Sequence, residues 1–201
     1  MEVMRFVKQD VTNFNVGDII GFTLTNGEEV QAMAMKETES GMLFCLVDCL
    51  AKEYPMNDAD TNAGGYLSSK LHSVLNSEIA SLFPVDIKSS LVKFSNGDYL
   101  RIPTEKEIFG ENKYGENEDN VEQWEPMKLR KNRIASQGKN GDYEWYWTQN
   151  KRVSYAGHFC NVYGNGRANY YWASIVGGVR PVFILNLKSR PCMGRDEMLY
   201  E

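Results

Sequence analysis

Residues 144–185 constrain the fold most, because they combine an unusual side-chain composition with an apolar end. Tyrosine, tryptophan, asparagine, arginine and glycine are dense in this segment, and no acidic residue occurs between Glu144 and Asp196. Residues 179–185 (VRPVFIL) are largely apolar, a pattern that predicts a buried strand. Rigid aromatic side chains mixed with asparagine, serine and glycine are typical of binding surfaces. We therefore predict that residues 1–143 build a scaffold and that residues 144–185 form a binding-face segment.

Length and composition indicate one domain. The chain has 201 residues, and 42% of them are hydrophobic, enough for a sizeable core. We expect a single domain over residues 16–187, preceded by a lead of residues 1–15 and followed by a tail of residues 188–201. The net charge of −5 argues against nucleic-acid binding, which usually requires a basic face. The sequence leaves oligomerisation open.

No targeting pattern is visible in the sequence. The first residues lack the apolar run of a signal peptide, and no stretch approaches the ~18 apolar residues of a membrane span. We therefore expect a protein that is cytoplasmic as synthesised and that has no membrane span. The cysteines at positions 45, 49, 160 and 192 form no C-x-x-C pair, so we expect reduced thiols, those at 45 and 49 in the core.

The first part of the domain has the pattern of a β-meander. Residues 19–24, 29–36 and 42–47 read as strands, and an Asn-Gly turn separates the first two. Within residues 30–35 of the second strand only Gln31 is polar, so both faces of that strand are expected to be largely covered.

Residues 67–82 form the clearest predicted helix. Apolar side chains recur there at spacings of three and four, Ser69 lies near the start, and Pro84 ends the helix. His72 lies beside the apolar stripe and is expected to be exposed. Residues 86–90 are predicted to form a second short helix.

A hairpin and a third helix are predicted next, followed by an irregular segment. Residues 91–102 contain a Ser-Asn-Gly-Asp turn between two short apolar runs. Thr104 and Glu107 have the spacing of a capping box, for a helix that ends at Gly110. Residues 110–142 hold little hydrophobicity, which predicts one long irregular insertion.

A possible calcium loop precedes the first helix. Asp58, Asp60 and Asn62 occupy the first, third and fifth places of such a loop, but Ala63 replaces the required glycine and Ser69 the required glutamate. The pattern therefore favours an ordinary loop, and no metal site is predicted.

Three large side chains in the binding-face segment are expected to be structural. Trp145 and Trp147 fit a hydrophobic core. Arg180 is expected to anchor the last strand through a buried pair or backbone hydrogen bonds. The consecutive aromatic residues 170–172 cannot all face the same way from a strand, so at least one is expected to be exposed to a partner.

The order of these features resembles the C-type-lectin-like fold. A Trp-rich strand, a middle rich in Gly, Asn and Tyr, and a Gly-Val-Arg-Pro ending at residues 178–181 carry the resemblance. The motifs at residues 60–65 (DTNAGG) and 103–110 (PTEKEIFG) are similar to those of a domain family of gut Firmicutes and their phages. The match, over residues 16–187, implies an α+β, C-type-lectin-like fold with short antiparallel strands, two to three helices and a long irregular insertion.

Within that family, residues 159–181 resemble the variable region of diversity-generating retroelement proteins. In those proteins adenine-directed mutagenesis changes mainly asparagine codons, between positions that stay fixed. Positions compatible with such a codon are His158, Tyr163, Asn165, Arg167, Tyr170, Tyr171, Ile175 and Val176, and Trp172 departs from the pattern. The fixed frame would be Phe159, Val162, Gly166, Ala168, Ala173 and residues 179–181.

The resemblance implies a non-enzymatic domain that binds a protein or cell-surface ligand and needs no cofactor. The predicted contact residues are Tyr155, His158, Asn161, Tyr163, Asn165, Arg167, Asn169, Tyr170, Tyr171, Trp172 and Ser174. A phage setting would make the protein virion-associated, and a structural virion or interaction protein of fixed specificity is the alternative.

An enzyme related to formylglycine-generating enzymes is a further alternative, because those enzymes share a C-type-lectin-like core. Their chemistry needs a pair of reactive cysteines, and only Cys160 lies in the binding-face segment. No catalytic residue is therefore predicted. The Glu-Pro-Asn and Trp-Asn-Asp motifs of calcium-dependent lectins are missing from the sequence.

Overall fold

Strands form most of the regular structure in residues 14–186, the part of the chain that this computed structural model describes. The strands are β1 (Ile19–Thr23), β2 (Glu29–Thr38), β3 (Gly41–Leu46), β4 (Tyr54–Pro55), β5 (Leu91–Val92), β6 (Ala135–Ser136), β7 (Tyr143–Glu144), β8 (Tyr146–Lys151), β9 (His158–Val162), β10 (Ala168–Trp172), β11 (Val176–Gly177) and β12 (Val182–Leu185). The helices are α1 (Lys70–Val74), α2 (Ala80–Leu82), α3 (Val85–Lys88), α4 (Glu105–Phe109) and α5 (Arg130–Arg133). The α+β class is thus confirmed.

A five-stranded antiparallel sheet in the order β1-β2-β3-β12-β5 forms the centre of the scaffold. The predicted meander of β1, β2 and β3 is confirmed, and the Leu24 amide closes the Asn-Gly turn on the Glu28 carbonyl at 2.8 Å. Strand β12 lies between β3 and β5, with Phe183 opposite Phe44. The binding-face segment therefore ends in the middle of the scaffold sheet.

Both faces of this sheet are covered, as the pattern of the second strand predicts. One hydrophobic cluster includes Ala32, Ala34 and Phe44. The other includes Leu43 and Met35, and Met35 alternates with Ala34 along β2. Because successive side chains alternate, β3 and β12 contribute to both clusters.

The predicted first helix is confirmed in residues 70–82, but its composition differs from the expectation. Ser69 caps α1 by accepting the His72 amide at 3.1 Å, and a π-helical turn, Leu75–Ile79, joins α1 to α2. Leu67 lies outside the helix, in a 3-10 turn, and is 58% exposed. The expectation that His72 is exposed is wrong: its Nε2 lies 2.6 Å from Asp98 Oδ2, and both side chains are largely covered. In the described part of the chain, no helix is long and apolar enough to cross a membrane.

The three-stranded sheet β10-β9-β8 carries the middle of the binding-face segment. It meets the scaffold at Gly178, whose carbonyl accepts the Trp147 amide and whose amide donates to the Trp145 carbonyl, at 3.1 and 3.0 Å. A Cβ atom on Gly178 would lie 2.5 Å from Cys49 Sγ. The close approach of the two layers thus requires glycine here.

The segment predicted as one irregular insertion, residues 110–142, has more structure than its polarity suggested. It contains a 3-10 turn, Glu125–Lys128, as well as α5 and β6. Trp124 and Met127 are buried in the second hydrophobic cluster. The segment therefore contributes to the core as well as to the surface.

Candidate ligand-binding site

Strand pairing decides which predicted contact residues share a face. In the β9–β10 hairpin, Tyr170 lies opposite Cys160, and Trp172 opposite His158. Alternation along β10 places Tyr170 and Trp172 on one face and Tyr171 on the other. The predicted aromatic triplet therefore divides between two environments.

Aromatic rings and one guanidinium group pack together around Tyr170. We call this set the aromatic surface: Tyr114, Arg152, Tyr155, His158, Tyr170 and Trp172. The Arg152 guanidinium lies between two rings, with its Cζ 3.6 Å from the Tyr155 centroid and 3.4 Å from the Tyr170 centroid. The ring of Tyr114 packs edge-on against Tyr170 at 5.0 Å. Such cation–π and edge-to-face contacts hold the rings in place before any ligand arrives.

Large apolar side chains around this surface remain in contact with water. Tyr155 is 48% exposed and Trp172 is 49% exposed, although ordinary packing would bury much of such rings. Tyr163, Ile175 and Val176 are also exposed. A concentration of exposed aromatic and aliphatic side chains in residues 155–176 indicates a contact surface.

His158 supports Trp172 from below. Its ring centroid lies 3.9 Å from that of Trp172, and the residue is only 8% exposed. Burial, and secondarily the charge of Arg152, hold the pKa of the His158 imidazole below its ordinary value. Both effects favour the neutral imidazole, whose ring packs against that of Trp172.

The loop that resembled a calcium site instead secures this surface. The Asn62 side-chain amide donates to the carbonyls of Tyr155 and His158, at 2.7 and 3.0 Å. Asp60 Oδ1 accepts from the Ser174 hydroxyl at 2.6 Å and from its amide at 3.1 Å. These hydrogen bonds engage side chains that the calcium pattern would assign to a metal. Ser174, a predicted contact residue, lies half-buried at the edge of the surface.

Three predicted contact residues lie away from the aromatic surface. Asn161, between β8 and β10, has no exposed surface, and its side-chain amide has no hydrogen-bond partner within residues 14–186. Tyr171 is half-buried on the opposite side of β10, with its ring 4.8 Å from that of Trp145. Asn169 shares that side and is also half-buried.

The remaining predicted contact residues lie in the turn between β9 and β10. Tyr163, Asn165 and Arg167 are exposed there, and Gly166 adopts a left-handed conformation with φ of 75°. The Asn165 carbonyl accepts from Arg130 Nε at 2.8 Å. The turn is therefore packed onto α5.

A cavity of about 420 Å³ opens beside this turn. Its lining comprises Phe109, Lys113, Tyr114, Arg130, Arg133, Gly166, Arg167 and Ala168, and we call it the basic cavity. Tyr114 belongs to both this cavity and the aromatic surface. The two features are thus continuous.

Of the three residues predicted to be structural, Trp147 and Arg180 are buried and Trp145 is half-buried against the first hydrophobic cluster. Trp147 is fully buried and donates through Nε1 to the Tyr54 carbonyl at 3.0 Å. The ring of Trp145 packs edge-on against it at 4.7 Å. Arg180 donates through Nε to the Leu46 carbonyl and through one terminal nitrogen to the Tyr146 hydroxyl, both at 2.9 Å.

Three cysteines fall in the described residues, and all are free and buried; Cys192 lies outside them. Burial raises the pKa of the thiols of Cys45, Cys49 and Cys160. Because the thiolate is the reactive form, these thiols have little nucleophilic character.

Sequence reasoning missed Arg152, Tyr114 and Asn62 as parts of the site. Arg152 lies in the binding-face segment, but nothing in its local pattern predicted the stacking between Tyr155 and Tyr170. Tyr114 and Asn62 are far from the segment in sequence and come to it only through the fold.

Comparisons of the chain with protein-family models, with curated proteins and with solved structures found no match.

Proposed function

We propose that this protein is a non-enzymatic binding domain of the C-type-lectin-like fold, which contacts a protein or cell-surface ligand through the aromatic surface. The proposal depends most on one observation: the rings of Tyr155 and Trp172 are exposed, although contacts with neighbouring rings already hold them in place. Binding to such a surface loses little side-chain entropy, because the rings are held before the ligand arrives.

Burial also supports a variable surface of the kind found in diversity-generating retroelement proteins. The frame positions Phe159, Val162 and Ala173 have no exposed surface. The positions proposed to vary at the turn and after β10, namely Tyr163, Asn165, Arg167, Ile175 and Val176, are exposed. Side chains at exposed positions can change with little effect on stability, whereas frame substitutions would disturb packing.

Replacement of Trp172 by alanine tests the binding role. We expect the wild-type protein to bind at least one member of a panel of intact bacteria and immobilised surface polysaccharides, and Trp172→Ala to weaken that binding more than about tenfold, as loss of a central aromatic contact does. Surface plasmon resonance or flow cytometry measures both.

Tyr99→Ala is the matched control, because Tyr99 is a similarly exposed ring (41%) on a different part of the molecule, beside Lys93. Its binding should equal that of the wild type. Equal binding by Trp172→Ala and wild type, or no binding by the wild type across the panel, would contradict the proposal.

A further inference from the structure

Positive charge converges on the basic cavity from three separate elements. Arg130 and Arg133 come from α5, Arg167 from the β9–β10 turn, and Lys113 from the loop after α4. Lys113 pairs with Glu111 at the rim. In residues 14–186, none of the three arginines pairs with a carboxylate. Positive charge is thus concentrated at this cavity in a chain of net charge −5.

Arg133 is half-buried, whereas the other three cations of the lining are exposed. Within residues 14–186 its Nε is buried and has no hydrogen-bond partner, and its Cζ lies 5.3 Å from the Phe109 ring centroid. A buried donor without a partner costs about 1–3 kcal/mol, and more when it is charged. An anion bound beside this guanidinium would offset part of the cost of burying its charge.

The walls are held by contacts that do not use the terminal guanidinium nitrogens of Arg130, Arg133 and Arg167. Arg130 is fixed through its Nε on the Asn165 carbonyl, and the Arg133 carbonyl accepts the Tyr146 hydroxyl at 3.0 Å. The Arg167 amide donates to Asn165 Oδ1 at 3.1 Å. In the part of the chain that the structure describes, the terminal guanidinium nitrogens therefore remain free for an oxyanion, which they can bind through paired hydrogen bonds.

We propose that the basic cavity binds an oxyanion, a phosphate, sulfate or carboxylate group, of an organic ligand. A volume of about 420 Å³ lies within the range of small-molecule sites, ~300–1,000 Å³, so the ligand extends beyond the anionic group. Phe109 and Tyr114 provide apolar walls for that remainder. This inference rests on the proposed binding function and names the chemistry of the ligand.

Titration with inorganic phosphate, sulfate, acetate and a hexose phosphate tests the site. Isotope-labelled protein at constant ionic strength, with chloride as the reference anion, would be followed by NMR. We expect saturable shifts of the Arg133 and Arg167 side-chain signals with at least one oxyanion. Tighter binding of the hexose phosphate than of inorganic phosphate would identify an organic ester, and the preference among the three simple anions would identify the group.

Arg133→Met and Arg167→Met keep the aliphatic stem and remove the charge. Each should weaken oxyanion binding about tenfold, as expected for a lost charge-assisted hydrogen bond, and Lys93→Met should not change it. Lys93 is an exposed cation on another part of the surface. No saturable shift with any of the four anions, or equal affinity in Arg133→Met and wild type, would overturn the proposal.

A variant of the aromatic surface distinguishes failure of the cavity proposal from failure of the proposed function. Trp172→Ala should bind the simple anions as the wild type does, because Trp172 does not line the cavity. Anion binding without any cell or polysaccharide binding would support the cavity proposal and contradict the proposed function. Cell binding that survives Arg133→Met and Arg167→Met, with no anion binding, would contradict the cavity proposal and support the proposed function.

Discussion

Single residues hold the three-stranded sheet against the scaffold sheet, and Arg180 is the clearest example. Its side chain is 1% exposed and joins the Leu46 carbonyl of β3 to the Tyr146 hydroxyl of β8, at 2.9 Å each. The same guanidinium stacks over the Tyr146 ring, 4.7 Å from its centroid. Lysine could not reproduce this planar set of donors.

Arg180→Lys should therefore lower the free energy of unfolding by about 2 kcal/mol or more, because buried acceptors lose their donors. Chemical denaturation with urea measures the change. Arg167→Lys, the same substitution at an exposed site, should stay within about 0.5 kcal/mol of the wild type. Comparable stability of both variants would show that Arg180 does not stabilise the contact between the three-stranded sheet and the scaffold sheet.

Sequence patterns predict single residues well where the partner is local. The capping box of Thr104 and Glu107 is present in full, since both partners lie within one turn. The burial of Asn161 and the pairing of His72 with Asp98 depend on strands and loops that are distant in sequence. No local pattern contains that information.

Among the elements, the loop after α4 depends on one buried carboxylate. Glu105 is fully buried, and its oxygens accept the amides of Tyr114 at 3.1 Å and Gly115 at 2.9 Å. Burial raises the pKa of this carboxyl group, and the hydrogen bonds from these amides oppose the shift. Glu105 thus positions Tyr114, which both the aromatic surface and the basic cavity use.

Glu105→Gln should loosen this loop, because its amide nitrogen would face backbone N–H donors in place of an acceptor. We expect hydrogen exchange at the amides of Tyr114 and Gly115 to accelerate about tenfold, equivalent to roughly 1.4 kcal/mol of local stability. Glu111→Gln, in the same loop but exposed, is the control and should leave both rates unchanged. Unchanged exchange in Glu105→Gln would contradict this role.

The meander, the first helix and the last strand could be predicted because their apolar periodicity is strong and local. The structure of residues 110–142 could not be predicted, because Trp124 and Met127 are isolated apolar residues in a polar stretch. These two side chains are buried because the fold places them against the second face of the scaffold sheet. The exposed part of the candidate site was predictable from composition, and the supporting loops were not.

Residues 14–186 combine a scaffold sheet covered on both faces with a smaller sheet whose β9–β10 turn is exposed to solvent. The binding-face segment returns to the scaffold through β12, and near its other end Tyr146 and Trp147 are buried. Under the proposed function, exposed residues between those ends would change while the buried frame remains. This division is what a diversified binding surface requires.

Sequencing the gene and its neighbourhood across a population that carries it tests this central claim most directly. We predict a near-copy of codons 155–181 close to the gene, differing from it only at adenines, and natural variation concentrated at the exposed positions of that region. A locus with no such copy, in which codons 155–181 vary no more than codons elsewhere in the gene, would contradict the claim of a variable binding surface.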